Sequence, residues 1–390
     1  MCYLIFRRTL AAAAMVQLLL TGVSTAQESS TELAHRGLVF AKRVGPMDLT
    51  IEEERITINP EVTRVKYRLS NRGPDTVSID FSLPLPDLDF SDPDINWAIP
   101  VPDQINFIGL SATVDRRPVT FSFSQSAISK GKDVSAFLRQ YRLAFIPVGT
   151  FQAQLAALPP EARERLSSEG LIVKSGTDQA GYPLYFPAWS IKTTGSSRFT
   201  FTPGKTVDIE LRHSTSLGVS RDSVLREPLR SNKELAGEVE RRQAEYCIDK
   251  AFYAGVDKIV ASFLADKQSA QTRGEIGHDQ QVPPSISSST SLSGTSPNGA
   301  ASRTQAPLVR LFPLENRANI REWRIEYDLA AGASIAPIKD FRLVVDKGKP
   351  DRIVSFCLDN LKRISPTAFE MRAADFTPRG MLKILLVGRE

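Results

Sequence analysis

Few residues in this chain could do chemistry, and they are scattered. The histidines are His35, His213 and His278. They show no zinc-type spacing, and no CxxC pair joins them. His213 follows Val207, Ile209 and Leu211 at period two, so it shares their face and reads as a structural histidine in a strand core. No GxSxG elbow, P-loop, HExxH or GxGxxG occurs. A Ser/His/Asp hydrolase would rest on His213 with no nucleophile signature to join it.

Carboxylates offer more. Asp87, Asp89, Asp92 and Asp94 fall within one Pro-rich stretch, Leu85 to Asp94. Hard cations such as calcium take several oxygens from one loop, so these four are the candidate metal ligands, although the EF-hand pattern is absent. A solvated acidic loop is the plainer reading. No cofactor is indicated. Glycoside hydrolysis needs only two facing carboxyls and has no fixed local motif. Aromatics form the other candidate set. Trp97, Tyr182, Tyr185, Phe186 and Trp189 sit in Pro-rich stretches, where they could plug a core or make a sugar- or peptide-binding face.

The compartment sets the reading of the cysteines. Arg7 and Arg8 precede an apolar run from Leu10 to Val23, and Ser24 and Ala26 sit at −3 and −1 of a cleavage site before Gln27. This is the layout of a cleaved secretory signal, residues 1–26, and the run is shorter than the ~20 apolar residues a span needs. A periplasmic or secreted chain of a Gram-negative bacterium is expected, with no transmembrane span after cleavage. Cys2 leaves with the signal, so Cys247 and Cys357 remain. One disulfide between them is the simplest outcome in an oxidising compartment; two buried thiols or one reactive cysteine are the alternatives.

The elements that must position these residues follow from periodicity. Period-two runs at Met47–Ile51, Val65–Leu69, Val77–Leu83, Leu110–Val114 and Val119–Phe123 predict antiparallel strands with one buried face. Asn71-Arg72-Gly73-Pro74-Asp75 predicts a hairpin turn between two of them. Helical spacing appears at 134–170 and again at 231–265, where Ser231 and Glu234 form a capping-box pattern and one long helix is expected to carry Cys247. Phe199, Phe201 and Val207–Leu211 are strands, as are the runs around Trp323, Phe341, Ile353 and Ile384. Residues 266–306 are a Ser/Thr/Gly/Gln/Pro tract that predicts a disordered insertion. The fold class is mainly β, antiparallel and sandwich-like. A β-rich part with helical segments spans 32–265, and a C-terminal β part spans 307–390.

The chain has 390 residues, 49 Lys+Arg against 44 Asp+Glu, and 42% hydrophobic residues. That is globular composition, neither disordered nor polytopic. Without residues 1–26 the net charge is +3, with both signs interspersed and no basic block, which argues against nucleic acid.

Five stretches resemble a bacterial family known as domain of unknown function (DUF) 4424. They are Gly37-Leu38-Val39-Phe40; Val65 to Asp87; Asn106-Phe107-Ile108-Gly109; Arg212-His213 and Gly218 with Tyr246-Cys247-Ile248-Asp249; and Pro337 to Gly348 with Val354-Ser355-Phe356-Cys357. The resemblance spans most of 32–388, broken by the low-complexity tract. It implies an exported protein and supplies neither an activity nor catalytic residues. The expected function is a non-enzymatic binding or interaction module whose partner is an envelope protein or glycan. The alternative is a carboxylate-dependent hydrolase acting on envelope glycan.

Overall fold

The computed structural model describes residues 34–36, 39–40, 49–91, 99–178, 181–215, 218–220, 222–272, 320–329 and 337–389. The signal segment and most of the low-complexity tract lie outside the described residues, as do Asp92, Asp94, Trp97 and His278.

The chain is mainly β, with several antiparallel sheets and few helices. An eight-stranded sheet runs in the order β19 (Lys362–Arg363), β20 (Ala368–Phe376), β17 (Ile338–Asp346), β3 (Leu49–Ile58), β4 (Val62–Asn71), β14 (Thr206–Ser214), β7 (Ser111–Val114) and β8 (Arg117–Val119). A six-stranded sheet holds β10 (Lys132–Asp133), β9 (Ser122–Ser129), β13 (Ser190–Phe201), β5 (Val77–Pro84) and β2 (Val39–Phe40), with β6 (Leu88–Asp89) also on β13. A five-stranded sheet holds β1 (Ala34–Arg36), β16 (Ile320–Asp328), β21 (Met381–Arg389) and β18 (Ile353–Phe356), with β15 (Gly218–Ser220) on β16. The strands β11 (Ile172–Thr177) and β12 (Pro183–Pro187) form a separate hairpin. Two pairings, β17 with β3 and β1 with β16, are parallel.

One apolar core joins the inward faces of the three larger sheets, through Tyr67, Leu69, Phe81, Phe199, Phe341 and Ile384 among others. The expected β4–β5 hairpin does not form: β4 pairs with β3 and β14, whereas β5 pairs with β13 and β2. Asn71 explains the difference. Its buried amide donates to the carbonyls of Asp75 and Phe201 and accepts from the Gly73 N–H. Gly204 N–H donates to the Asn71 carbonyl. Asn71 therefore binds the corner after β4 to the corner after β13, and at both the chain passes from one sheet to the other. Two amphipathic strands of like phase bury more by facing each other across a core than by pairing edge to edge.

In β3 the apolar phase slips. Leu49 and Ile51 are buried, and after a register shift between Ile51 and Glu53 so are Ile56 and Ile58. This β-bulge brings both apolar pairs to one face and carries Glu54 inward with them.

The helices are α1 (Ser135–Gln140), α2 (Phe151–Ala156), α3 (Pro160–Ser168), α4 (Ala236–Tyr246) and α5 (Lys250–Thr272). The single helix expected over 231–265 is two. Cys247 closes α4 in the left-handed conformation, φ 53°, instead of lying inside a helix. Its start also differs: Asn232 caps the turn by accepting from Glu234 N–H, while Ser231 bonds Glu227. A second core packs Leu235, Val239, Tyr246, Phe252 and Val256 against Leu385 and Val387 of β21. Gly255 lets α5 approach β18, since a Cβ there would lie 2.8 Å from Ile353. The helix continues through Thr272, into the first residues of the low-complexity tract.

Candidate ligand-binding groove

A groove opens where α2 and α3 face the β11–β12 hairpin. α3 starts at Pro160, which fixes a helical φ and needs no amide partner, and Leu166 anchors it in the core. Between Ala156 and Pro160 lies only a short turn, so α2 and α3 present neighbouring faces. Arg163 ties them together, its guanidinium reaching the Leu155 and Ala156 carbonyls at 3.5 and 3.4 Å. Those are carbonyls of the last turn of α2, where a cation is favoured.

The hairpin is closed by Asp178. Its carboxylate accepts from Tyr182 N–H at 2.8 Å, and its own N–H donates to the Tyr182 carbonyl. The turn lifts Tyr182 into solvent, 69% exposed. Gln152 of α2 then grips the outer edge of β12. Its amide donates to the Tyr185 carbonyl and accepts from Tyr185 N–H. Pro183 and Pro187, next on that edge, have no N–H to offer.

Two adjoining hollows result. One, about 370 Å³, is lined by Gln152, Ala156, Asp178, Tyr182, Leu184 and Tyr185. The other, about 460 Å³, is lined by Pro160, Glu164, Ser167, Pro183 and Tyr185. Arg163, Pro183 and Tyr185 border both. The chemistry is that of a shallow recognition site: aromatic and pyrrolidine faces for stacking, with a carboxylate and hydroxyls at the rim.

The aromatics singled out in the sequence thus divide. Trp189 is a core plug, 1% exposed; its indole N–H donates to the Phe145 carbonyl at 2.8 Å, and its ring meets Phe151 edge-on at 5.7 Å. Tyr182 and Tyr185 line the groove, and Phe186 is half-buried in β12. Sequence reasoning missed Gln152, Arg163 and Glu164. The available signal was two short helices preceding a Pro-flanked Tyr pair.

Of the acidic candidates, the structure describes Asp87 and Asp89. Asp87 is exposed and faces Lys192 at 3.8 Å. Asp89 accepts from the Ser91 N–H and hydroxyl. Asp92 and Asp94 lie outside the described residues. Among the described residues no group of three or more His, Cys, Asp or Glu is arranged to hold a metal ion.

The remaining titratable groups are internal. His213 is buried on the face shared with Leu211, its Nδ1 2.9 Å from the Ser214 carbonyl, and burial pushes its pKa down. Glu54 is walled into the core, where desolvation raises its carboxyl to about 7 against the pull of a Tyr67 hydrogen bond. Tyr327 from β16 lies against the same pair, and burial followed by the Glu54 charge raises its phenol. His35 pairs through its backbone with Tyr327. Cys247 and Cys357 hold their sulfurs 2.00 Å apart with Cα atoms 5.2 Å apart, a disulfide separation, where α4 ends beside β18.

Among solved structures the chain is similar to a Legionella pneumophila protein described as a "putative nutrient binding protein". The identity is 12% and the TM-score 0.39, covering 91% of this chain and 71% of that one. A comparison with curated proteins gives no match. A family model matches residues 26–277 and 309–385, interrupted at the low-complexity tract. The chain belongs to the family described as domain of unknown function DUF4424.

Proposed function

We propose that this protein is an exported binding module that takes its ligand in the groove between α2, α3 and β12. The observation that carries the reading is Tyr182. A tyrosine held 69% exposed by a built turn, beside Tyr185 and above a hollow, has no packing role to explain it. Export rests on the signal layout of residues 1–26, and the Cys247–Cys357 pair fits an oxidising compartment.

The blocked edge of β12 narrows what can bind. With Gln152 on Tyr185 and prolines on either side, an extended peptide finds no free N–H for strand addition. Ring stacking and side-chain hydrogen bonds remain, which suits an envelope glycan. Hydrolysis of such a glycan is the rival reading. It would need two facing carboxyls in the groove, one of them protonated near neutral pH. Of the groove's carboxyls, Asp178 is committed to Tyr182 N–H and Glu164 borders the other hollow, while Glu54, raised by burial, lies in the core.

The test is calorimetric titration of the mature chain, residues 27–390, with peptidoglycan oligosaccharides and with peptides. Tyr182→Ala is expected to weaken binding without changing the melting temperature. Binding that ignores this substitution would remove the groove from the account. Amino-terminal sequencing of the exported protein should begin at Gln27.

A further inference from the structure

The outward face of the eight-stranded sheet is built against its own electrostatics. Arg372 of β20 lies directly opposite Arg342 of β17, Arg342 beside Arg55 of β3, and Arg55 opposite Lys66 of β4. Four cations thus stand in one row across four adjacent strands, and Glu210 of β14 ends the row. Two residues along the strands, Arg64 of β4 faces Arg212 of β14. Like charges directly opposite one another destabilise a sheet. A face with four such pairs has a reason other than stability.

Three acids, Glu370, Glu53 and Glu210, pair with the four cations of the row, and the first two lie beneath it. Glu370 accepts from Arg342 and Arg372 and is 9% exposed, and Glu53, partner of Arg55 and Arg68, is 14% exposed. Above them Arg372, Lys66 and Arg55 are 63%, 55% and 48% exposed. Glu210 is shared by Arg64 and Lys66 at 3.5 and 3.3 Å. Arg212 is exposed and makes no ion pair among the described residues. The depression over β3, β4 and β14, about 410 Å³, has the cations Arg55, Lys66, Arg68 and Arg116 on its walls, with Glu53, Asp208 and Glu210 between them.

We propose that this face docks a linear acidic polysaccharide laid across the strands along the Arg372–Arg342–Arg55–Lys66 row. Neighbouring strands are ~4.8 Å apart, so the row presents a cation about every 4.8 Å over roughly 15 Å, a repeat on the order of one sugar ring. The neighbouring row explains why the occupant is a chain and not a plane. It holds Asp340 beside Glu53, then Arg68 and Asp208. A planar anionic surface such as a lipid bilayer would press on those acids, whereas a single strand of polymer avoids them. This site is separate from the groove and does not depend on it.

The experiment measures affinity of the mature chain for heparin at low salt, with neutral dextran and phosphatidylglycerol–phosphatidylcholine vesicles as parallel probes. The triple variant Arg55→Gln, Lys66→Gln, Arg372→Gln removes the three exposed cations of the row and leaves Arg68 on Glu53 and Arg342 on Glu370. A control triple, Lys132→Gln, Lys174→Gln, Lys205→Gln, removes the same charge from exposed positions elsewhere. The proposal expects heparin affinity to fall about tenfold in the first triple, with a shallower salt dependence, and to hold within about twofold in the control. Dextran should not bind. Equal losses in both triples, tighter binding to vesicles than to heparin, or no heparin binding by the wild type would each overturn it. Circular dichroism melts of both triples keep an unfolded variant from being counted.

Discussion

Glu54 of β3 stands directly opposite Tyr67 of β4, both buried in the middle of the apolar core. The pair exists because β3 must slip by one residue to bury Ile56 and Ile58 on the face of Leu49 and Ile51. A carboxyl whose pKa rises from 4.5 unfolded to about 7 folded holds its proton longer in the native state. Its contribution is therefore fully present below pH 4.5 and is lost as pH rises through about 7. Glu54→Gln cannot ionise, so it should gain on the wild type across that window, by on the order of 3 kcal/mol above it. Tyr67→Phe should push the upper limit higher, because it removes the hydroxyl that favours the charged form. Chemical denaturation of wild type and variant at several pH values gives the difference directly. Subtraction matters because buried His213 acts with the opposite sign, its contribution being lost as pH falls below its ordinary 6.5. A difference that does not change with pH would contradict the buried ionisation.

Trp189 and Tyr182 should behave as opposites. Trp189→Ala deletes a fully buried indole, its bond to Phe145 and its edge contact with Phe151, and should cost about 3–5 kcal/mol. Tyr182→Ala should leave stability within about 0.5 kcal/mol. Urea denaturation of both variants checks this, and a large loss in Tyr182→Ala would make it a packing residue.

The Cys247–Cys357 pair closes a loop of sequence separation 110 and joins the end of α4 to the strand beside it. Replacing both with serine should lower stability by about 2–5 kcal/mol. Alkylation of the unreduced, unfolded mature protein should label neither cysteine, and labelling of both would show that the bond is absent.

Arg242 of α4 reaches Glu322 of β16 at 3.1 Å and Glu238 at 2.8 Å, while Ser223 donates to Glu322 at 2.5 Å. Arg242 and Glu322 are both buried. Glu322→Ala leaves the guanidinium without its cross-element partner and should cost about 3–5 kcal/mol, whereas replacing Arg242 and Glu322 together by Met and Leu should cost less. A double-mutant cycle in urea checks that order.

Much of the fold was legible because alternation is local. The runs at Val65–Leu69 and Val207–His213 read correctly from period two, down to the inward histidine. Pairing was not legible, because Asn71 reads as a hairpin turn until its amide is seen joining two corners. The break at Cys247 was hidden by helical spacing that continues on both sides of it. For the groove, Tyr182 and Tyr185 were visible as Pro-flanked aromatics, but nothing local says that Trp189, in the same stretch, turns inward. The like-charged row escaped altogether, since Arg55, Lys66, Arg342 and Arg372 become neighbours only through register.

The central claim is that the groove is where this protein meets its ligand. A thermal-shift screen of residues 27–390 against envelope glycans, peptides, lipids and calcium, run in parallel on the Tyr182→Ala, Tyr185→Ala double variant, tests it most directly. A ligand at 100 times its dissociation constant adds ~2.7 kcal/mol, a shift of several degrees. A glycan should shift the wild type and leave the double variant unmoved. An equal shift in both proteins, or a response to calcium alone, would contradict it.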